Sequence, residues 1–268
     1  NENGYCYKCS NGNATTVTSL GVKDPANIGV IDRLSFANSN SQYGSWGKRS
    51  ITVTDKRMYV AGEEYGNWDN NQEHGSTIQV VDISDAGGKL VKGASVLAKG
   101  MIESRWQMDE FEGHLRVISQ PGFWGNSDPT MQTFKIESAD KLTPLASVNI
   151  KMPKPNERLR SVRFDGARGY AITAEQKDPL FILNFSDPSL PVQKGELEMP
   201  GFVYHMEPRG NRIYALGFDN GQAEGNLHVS LFDVENENEP KLLSRVPFGG
   251  KWSNLAEDQD RIHKAFNI

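Results

Sequence analysis

Counting ten residues back from the apolar positions Tyr59, Leu115, Tyr170, Tyr214 and Ile262 reaches Arg49, Arg105, Arg160, Tyr204 and Trp252. Three guanidiniums and two large aromatic rings therefore recur at one place in a repeating chain. A guanidinium offers forked donors that fit a carboxylate or phosphate, and an aromatic face stacks on flat or sugar-like surfaces, so such a set would suit a planar anion. Trp106 and His205 adjoin two members of the set and Lys48 and Lys251 adjoin two others, which would enlarge the patch. The competing reading is structural: each Arg pairs with Glu or Asp of a neighbouring repeat, and Tyr and Trp fill the centre as core. A slip of one residue in a strand exchanges which side chains face inward, so the choice rests on register.

Other chemistry is thinner. Loops of very unequal length carry acidic groups, Glu63, Glu64 and Asp69 in "GEEYGNWDNNQEHGS" and Asp219 and Glu224 in "GFDNGQAEGN". Carboxylate oxygens could hold Ca²⁺, but "DNNQEHG" lacks the Gly at position six and the distal Glu of an EF-hand loop, and a solvated acidic loop is the plainer reading. Exposed Trp68, Phe123 and Trp124 in the long loops would fit sugar or protein contact, or would anchor those loops. Cys6 and Cys9 are the only cysteines, spaced C-x-x-C. Ser10 stands where a c-type haem site needs His and no second pair completes a zinc site, leaving a local disulfide, an inert pair, a redox dithiol or an intermolecular metal site. No G-x-S-x-G elbow, H-E-x-x-H pair or phosphate loop is present. The reading is accordingly a binding scaffold rather than an enzyme. Its alternative is a hydrolase or lyase, metal-dependent if His205 and loop carboxylates converge.

The elements that would position these residues follow from a repeat. "SLGVKDPANIGVIDRLSF", "VVDISDAGGKLVKGASVL", "TFKIESADKLTPLASVNI", "FILNFSDPSLPVQKGELEMPG" and "LFDVENENEPKLLSRVPF" share one plan: apolar strand, short polar turn, second apolar strand. Their turn residues Asp24, Asp85, Ser138, Asp187 and Asn236 are separated by 61, 53, 49 and 49 residues. Asp and Asn at such turns bond their own backbone and Pro fixes φ, so each hairpin is specified locally. After each copy comes a second alternating hairpin: "RSITVTDKRMYVAG", "RWQMDEFEGHLRVIS", "RSVRFDGARGYAIT", "YHMEPRGNRIYALG" and "WSNLAEDQDRIHKA". One repeat thus supplies four strands, and no sustained period of 3.6 calls for helices. The chain has 268 residues, 37% hydrophobic and 24% charged, with net charge -5, and offers neither a basic field for nucleic acid nor an apolar run long enough to span a membrane. The expectation is an all-β β-propeller of four-stranded antiparallel blades with five countable repeats, the radial array that leaves only short edges.

Residues 156 to 218, through "RSVRFDG", "TAEQKDPLF", "FSDPSLP" and "MPGFVYHMEPRG", resemble the bacterial and archaeal secreted β-propeller domain family, distantly related to WD40 and LVIVD repeats; the closing "IHKAF" is similar too. The repeats divide the chain into a polar leader, 1–17, and a propeller, 18–268, with repeats near 18–75, 76–129, 130–178, 179–225 and 226–268, and the resemblance is specific from about residue 76 onward. The resemblance implies a secreted, periplasmic or cell-surface location and brings no catalytic residues. Because the family's propellers generally hold more blades than five, it leaves room for a missing segment or second chain that completes the ring, pairing at a strand of Ile262–Ile268. By analogy with WD40 blades, Arg49, Arg105, Arg160, Tyr204 and Trp252 open the innermost strands at the mouth of the central channel, on the face that also bears the long loops. A protein, glycan or anionic ligand would bind there.

Overall fold

The computed structural model describes residues 14–37, 49–64, 75–121, 127–153, 157–174, 178–199, 201–219, 226–249, 266 and 268. The second alternating hairpin of the fifth repeat, with Trp252, therefore lies outside the described residues, as do Cys6, Cys9, Asp69, Glu224 and the loop aromatics Trp68, Phe123 and Trp124.

Four antiparallel sheets of four strands follow one another. Blade one holds β3 (Ser50–Val53), β4 (Arg57–Glu64), β5 (Gly75–Asp82) and β6 (Val91–Ala98). Blade two holds β7 (Met108–Phe111), β8 (His114–Ser119), β9 (Thr130–Ser138) and β10 (Lys141–Asn149), entered through a 3₁₀ turn, Arg105–Gln107. Blade three is β11 (Arg158–Asp165), β12 (Arg168–Ala174), β13 (Asp178–Asn184) and β14 (Val192–Met199). Blade four is β15 (Phe202–Arg209), β16 (Arg212–Asp219), β17 (Asn226–Asp233) and β18 (Lys241–Phe248). Ahead of them β1 (Ala14–Gly21) and β2 (Gly29–Ala37) form a two-stranded sheet. The all-β propeller architecture expected from the repeat is thus the architecture found. Each sheet joins an alternating hairpin to the outer hairpin that follows it, so a repeat counted from its outer turn straddles two sheets. β1 begins inside the segment read as leader.

The outer turns form as their residues dictate. Asp24, Asp85, Asp187 and Asn236 each accept a hydrogen bond from the amide two residues on, at 2.9–3.1 Å, while their own carbonyls accept from the residue three on. These bonds lie within each turn, so the turn's shape is specified locally. The inner turns are two-residue loops, and Glu112 and Gly113 in blade two both take positive φ, 47° and 76°, the handedness that matches strand twist.

The core lies between sheets. Tyr59, Ile78 and Val80 of blade one pack on Met108, Leu115 and Phe134 of blade two. Ile118 and Met131 meet Val162, Phe181 and Leu183, and Tyr170, Ile172 and Ile182 meet Met206, Ile213 and Phe232. Val17 and Phe36 of the β1–β2 hairpin close on Val60, Val81 and Leu90. Because the third strands are covered on both faces, they read as near-continuous apolar runs such as "PLFIL". Each fully buried large side chain contributes about 1.5–3 kcal/mol.

Candidate functional site

The 3₁₀ turn entering blade two is built by Gln107. Its side-chain oxygen accepts from the amides of Glu103 and Ser104, at 2.8 and 2.9 Å, and its amide donates to the carbonyls of Met101 and Ile118. Ser104 Oγ in turn accepts from Trp106 N, completing a capping box. Thr52 Oγ1 of blade one donates to the Arg105 carbonyl at 2.6 Å. These bonds hold Arg105 and Trp106 at the start of blade two's inner strand.

Trp106 is the centre of the site. The Arg163 guanidinium of β11 lies 4.0 Å from its ring centroid and that of Arg105 lies 4.4 Å away. His205 of β15 meets the Trp106 ring edge-on at 6.3 Å and Phe266 at 5.9 Å. Arg163, 6% exposed, donates from Nη2 to His205 Nδ1 at 2.7 Å. That bond makes Nδ1 the acceptor and leaves Nε2 to donate to Glu207 Oε1, also 2.7 Å. A neutral imidazole thus relays a buried cation to a carboxylate. Burial pushes the Arg163 guanidinium down to about 9, with Glu207 opposing the shift and Arg105 adding to it.

The inner turns fix the register across blades. Thr54 and Arg57, Phe111 and His114, Asp165 and Arg168, and Arg209 and Arg212 close equivalent two-residue turns. Two residues beyond each closure stand Tyr59, Arg116, Tyr170 and Tyr214. Blade two is therefore one residue out of step with the sequence alignment: Arg116, not Leu115, belongs in the tyrosine column. Ten residues back from it is Trp106, not Arg105. The corrected column reads Arg49, Trp106, Arg160 and Tyr204.

In blades three and four that column is a β-bulge. Pairing jumps from Leu159 to Ser161 and from Val203 to His205, passing over Arg160 and Tyr204, and both are exposed. A bulge turns its extra side chain away from the ladder. Arg49 goes elsewhere: its guanidinium lies against Gly62 and 6.0 Å from the Phe36 ring. Of the residues expected at the channel mouth, Arg105, Trp106 and His205 come together, Arg160 and Tyr204 stand exposed at the bulges of the two following blades, and Arg49 packs toward the β1–β2 hairpin. Glu63, Glu64 and Asp219 end described strands, but their side chains lie outside the described set. Among the described residues no three His, Cys, Asp or Glu side chains gather as a metal site.

Arg163 and Glu207 had no place in the sequence reading, though a signal existed. Both sit opposite a column tyrosine, Tyr170 and Tyr214, where blades one and two carry Thr52 and Asp109. Opposite charges at one position of adjacent blades mark a cross-blade link. Arg116 is a second buried cation. It bonds Asp109 and the Gly166 carbonyl and stacks on Phe111, Phe164 and Phe185 at 4.7–5.5 Å. Beside it, on the turn face, Phe111, His114, Phe185 and Pro188 help line a cavity of about 250 Å³.

The chain is similar to several known proteins. An uncharacterized protein of Archaeoglobus fulgidus is 30% identical over 219 residues, 81% of this chain and 33% of that protein. The uncharacterized protein MJ1554 of Methanocaldococcus jannaschii is 28% identical over 247 residues, 85% of this chain and 38% of that protein. The chain thus spans about a third of the length of the curated relatives it matches. Among solved structures, the complex of KlAtg21 with the coiled-coil of AgAtg16 superposes with a TM-score of 0.48 at 12% identity, covering 84% of this chain and 64% of that one. The Pseudomonas aeruginosa periplasmic gluconolactonase PpgL gives 0.47 at 11%, covering 87% and 83%. The sequence profile of the β-propeller domain family matches residues 5–268, and the chain belongs to that family.

Proposed function

We propose that this chain is a non-catalytic propeller scaffold that binds an anionic ligand, a glycan or an acidic protein surface, on its loop face around Trp106. The observation that carries the reading is the Trp106 ring bearing two guanidiniums, the buried Arg163 and the exposed Arg105. Arg163 offers a buried cationic wall, Arg105 an exposed fork, and Arg160 on the neighbouring bulge a third positive group. Charged groups held against desolvation are characteristic of binding sites rather than of packing alone. Both ring nitrogens of His205 are engaged, by Arg163 and Glu207, so the imidazole serves to position the cation and not as a base. The sequence resemblance supports a secreted, periplasmic or cell-surface setting for such a scaffold.

Calorimetric titration with oligogalacturonate and with its methyl ester, which keeps the sugar and loses the charge, tests the reading. Binding of the acid, weakened by salt, weakened at least tenfold by Arg105→Ala and lost with Trp106→Ala, is the expected result. Equal binding of acid and ester, or binding indifferent to both substitutions, would overturn it. Absence of any binding to this probe and to acidic peptides alike would do the same.

A further inference from the structure

At two junctions the gap between blades is closed on the turn face by the same device. Arg57 and Tyr59 of blade one both donate to the Glu110 carboxylate of blade two, at 2.7 and 2.5 Å. Arg168 of blade three donates to Glu237 in the outer turn of blade four at 2.9 Å, and Tyr170 is fully buried beside it. In each case an arginine that closes the inner turn, backed by the column tyrosine, reaches a carboxylate of the next blade.

The junction between blades two and three has none of these parts. Equivalent positions follow from the turn closures. His114 stands where Arg57 and Arg168 stand, and Arg116 where Tyr59 and Tyr170 stand. On the facing side, Phe164 takes the place of Glu110, and Pro188 that of Glu237. An imidazole is too short to span a gap that a guanidinium spans, and neither Phe164 nor Pro188 offers it a carboxylate. The space stays open as the cavity of about 250 Å³, walled by Phe111, Ala167, Phe185 and Pro188.

Arg116 is the cation of that lining, 2% exposed and stacked on three phenylalanine rings. Among the described residues, its Nε and Nη2 donate to one oxygen of Asp109, and its Nη1 to the Gly166 carbonyl at 2.6 Å. A guanidinium carries five N–H groups, so Nη1 and Nη2 each keep one to give. Burial pushes this guanidinium down, with Asp109 and Glu112 opposing the shift; a further negative partner is favoured beside a cation so desolvated. Exposed Ser186 and half-buried His114 add donors to the lining. The volume equals that of about eight waters at about 30 Å³ each, below the roughly 300–1,000 Å³ of pockets for drug-sized ligands. It suits one ring and one acid group.

We propose that this cavity binds a small aromatic monocarboxylate, the carboxylate taken by Arg116 and Ser186 and the ring laid against Phe111 and Phe185. The site lies at the opposite end of the strands from Trp106 and stands independently of the loop-face reading. Glu112, exposed and also in the lining, opposes the anion and so limits its affinity.

Two-dimensional NMR titration with benzoate, and with benzamide, which keeps the ring and loses the charge, tests this at the amides of Gly113, Gly166 and Ser186. Benzoate is expected to shift those amides, and benzamide to bind at least tenfold more weakly. Ala167→Leu, which fills the cavity and leaves Arg116 in place, is expected to weaken benzoate at least tenfold. Glu112→Gln, which removes an exposed negative charge, is expected to tighten it about two- to threefold. Equal binding of acid and amide, binding that survives Ala167→Leu, or binding that weakens with Glu112→Gln would each overturn the proposal. Shifts at the Trp106 indole instead of the three amides would assign the acid to the loop face and overturn it too, as would no shift at all.

Discussion

The buried relay Arg163–His205–Glu207 makes a sharp energetic prediction, because its two charged ends are not equivalent. A guanidinium moved by burial from its ordinary range to about 9 carries a penalty on the order of 5 kcal/mol, at about 1.4 kcal/mol per pH step. Stacking of a desolvated cation on Trp106 returns about 2 kcal/mol, and a charge-assisted hydrogen bond to His205 about 1.5–3 kcal/mol. The terms nearly cancel, so Arg163→Met, apolar and similar in length, should change stability by no more than about 2 kcal/mol in either direction. Glu207→Gln keeps an acceptor for His205 Nε2–H but leaves Arg163 buried without its counter-charge, a loss of about 3–5 kcal/mol. With Arg163→Met already in place, Glu207→Gln should cost little, giving a coupling close to the whole of that loss, about 3–5 kcal/mol, in the double-mutant cycle. Urea unfolding followed by tryptophan fluorescence and by circular dichroism measures all four proteins, and m must stay constant for the cycle to hold. Additive effects, or Arg163→Met as damaging as Glu207→Gln, would refute the claim that the relay exists to neutralise a costly cation.

Further outcomes follow from the junctions and the turns. Gly195→Ala would place a Cβ 2.7 Å from Asn238 and Glu237 backbone atoms and should destabilise the protein by about 1–3 kcal/mol, whereas Gly29→Ala, with nothing within 4 Å, should be neutral; thermal unfolding separates them. Asp32 is held below the ordinary carboxylate value of 3.8, first by the Leu90 amide and then by the Arg33 amide. The stability it lends is therefore present above pH 3.8 and lost as pH falls through its lower folded value. Hydrogen exchange in acid should show β1 and β2 losing protection before blades two to four, and Asp32→Ala should reproduce that loss at neutral pH. Gln107→Leu keeps volume and removes four hydrogen bonds, and should disorder the 3₁₀ turn and shift Trp106 emission to the red; an unchanged spectrum would show that the turn stands without it.

Four of the five outer turns were legible because one side chain specifies each: Asp24, Asp85, Asp187 and Asn236 bond their own backbone in the structure as their spacing implies, whereas the Ser138 hydroxyl bonds the Asp140 carboxylate instead. The inner hairpins were legible from alternation, and with them the blade. What alternation could not resolve was the register of blade two. Arg116 fills a position that Tyr fills elsewhere, its flat guanidinium stacked among three phenylalanine rings, and a search for apolar residues passes over it to Leu115. That single step moved the site from Trp106 to Arg105. Arg163 and Glu207 stayed hidden for a different reason: their column holds Thr, Asp, Arg and Glu, and its meaning lies in the charge of the adjacent blade.

Every hydrophobic cluster in the described structure draws its members from two neighbouring sheets, and the consequence reaches beyond packing. A lone blade has no interior of its own and gains one only by being next to another. Lengthening the array by one blade adds one more interface of a kind the sequence already encodes, so tandem duplication can change blade number without inventing a new core. Damage is correspondingly local: a lesion in one blade is felt by the two beside it, and an array of this kind should yield first at an end rather than collapse from the middle.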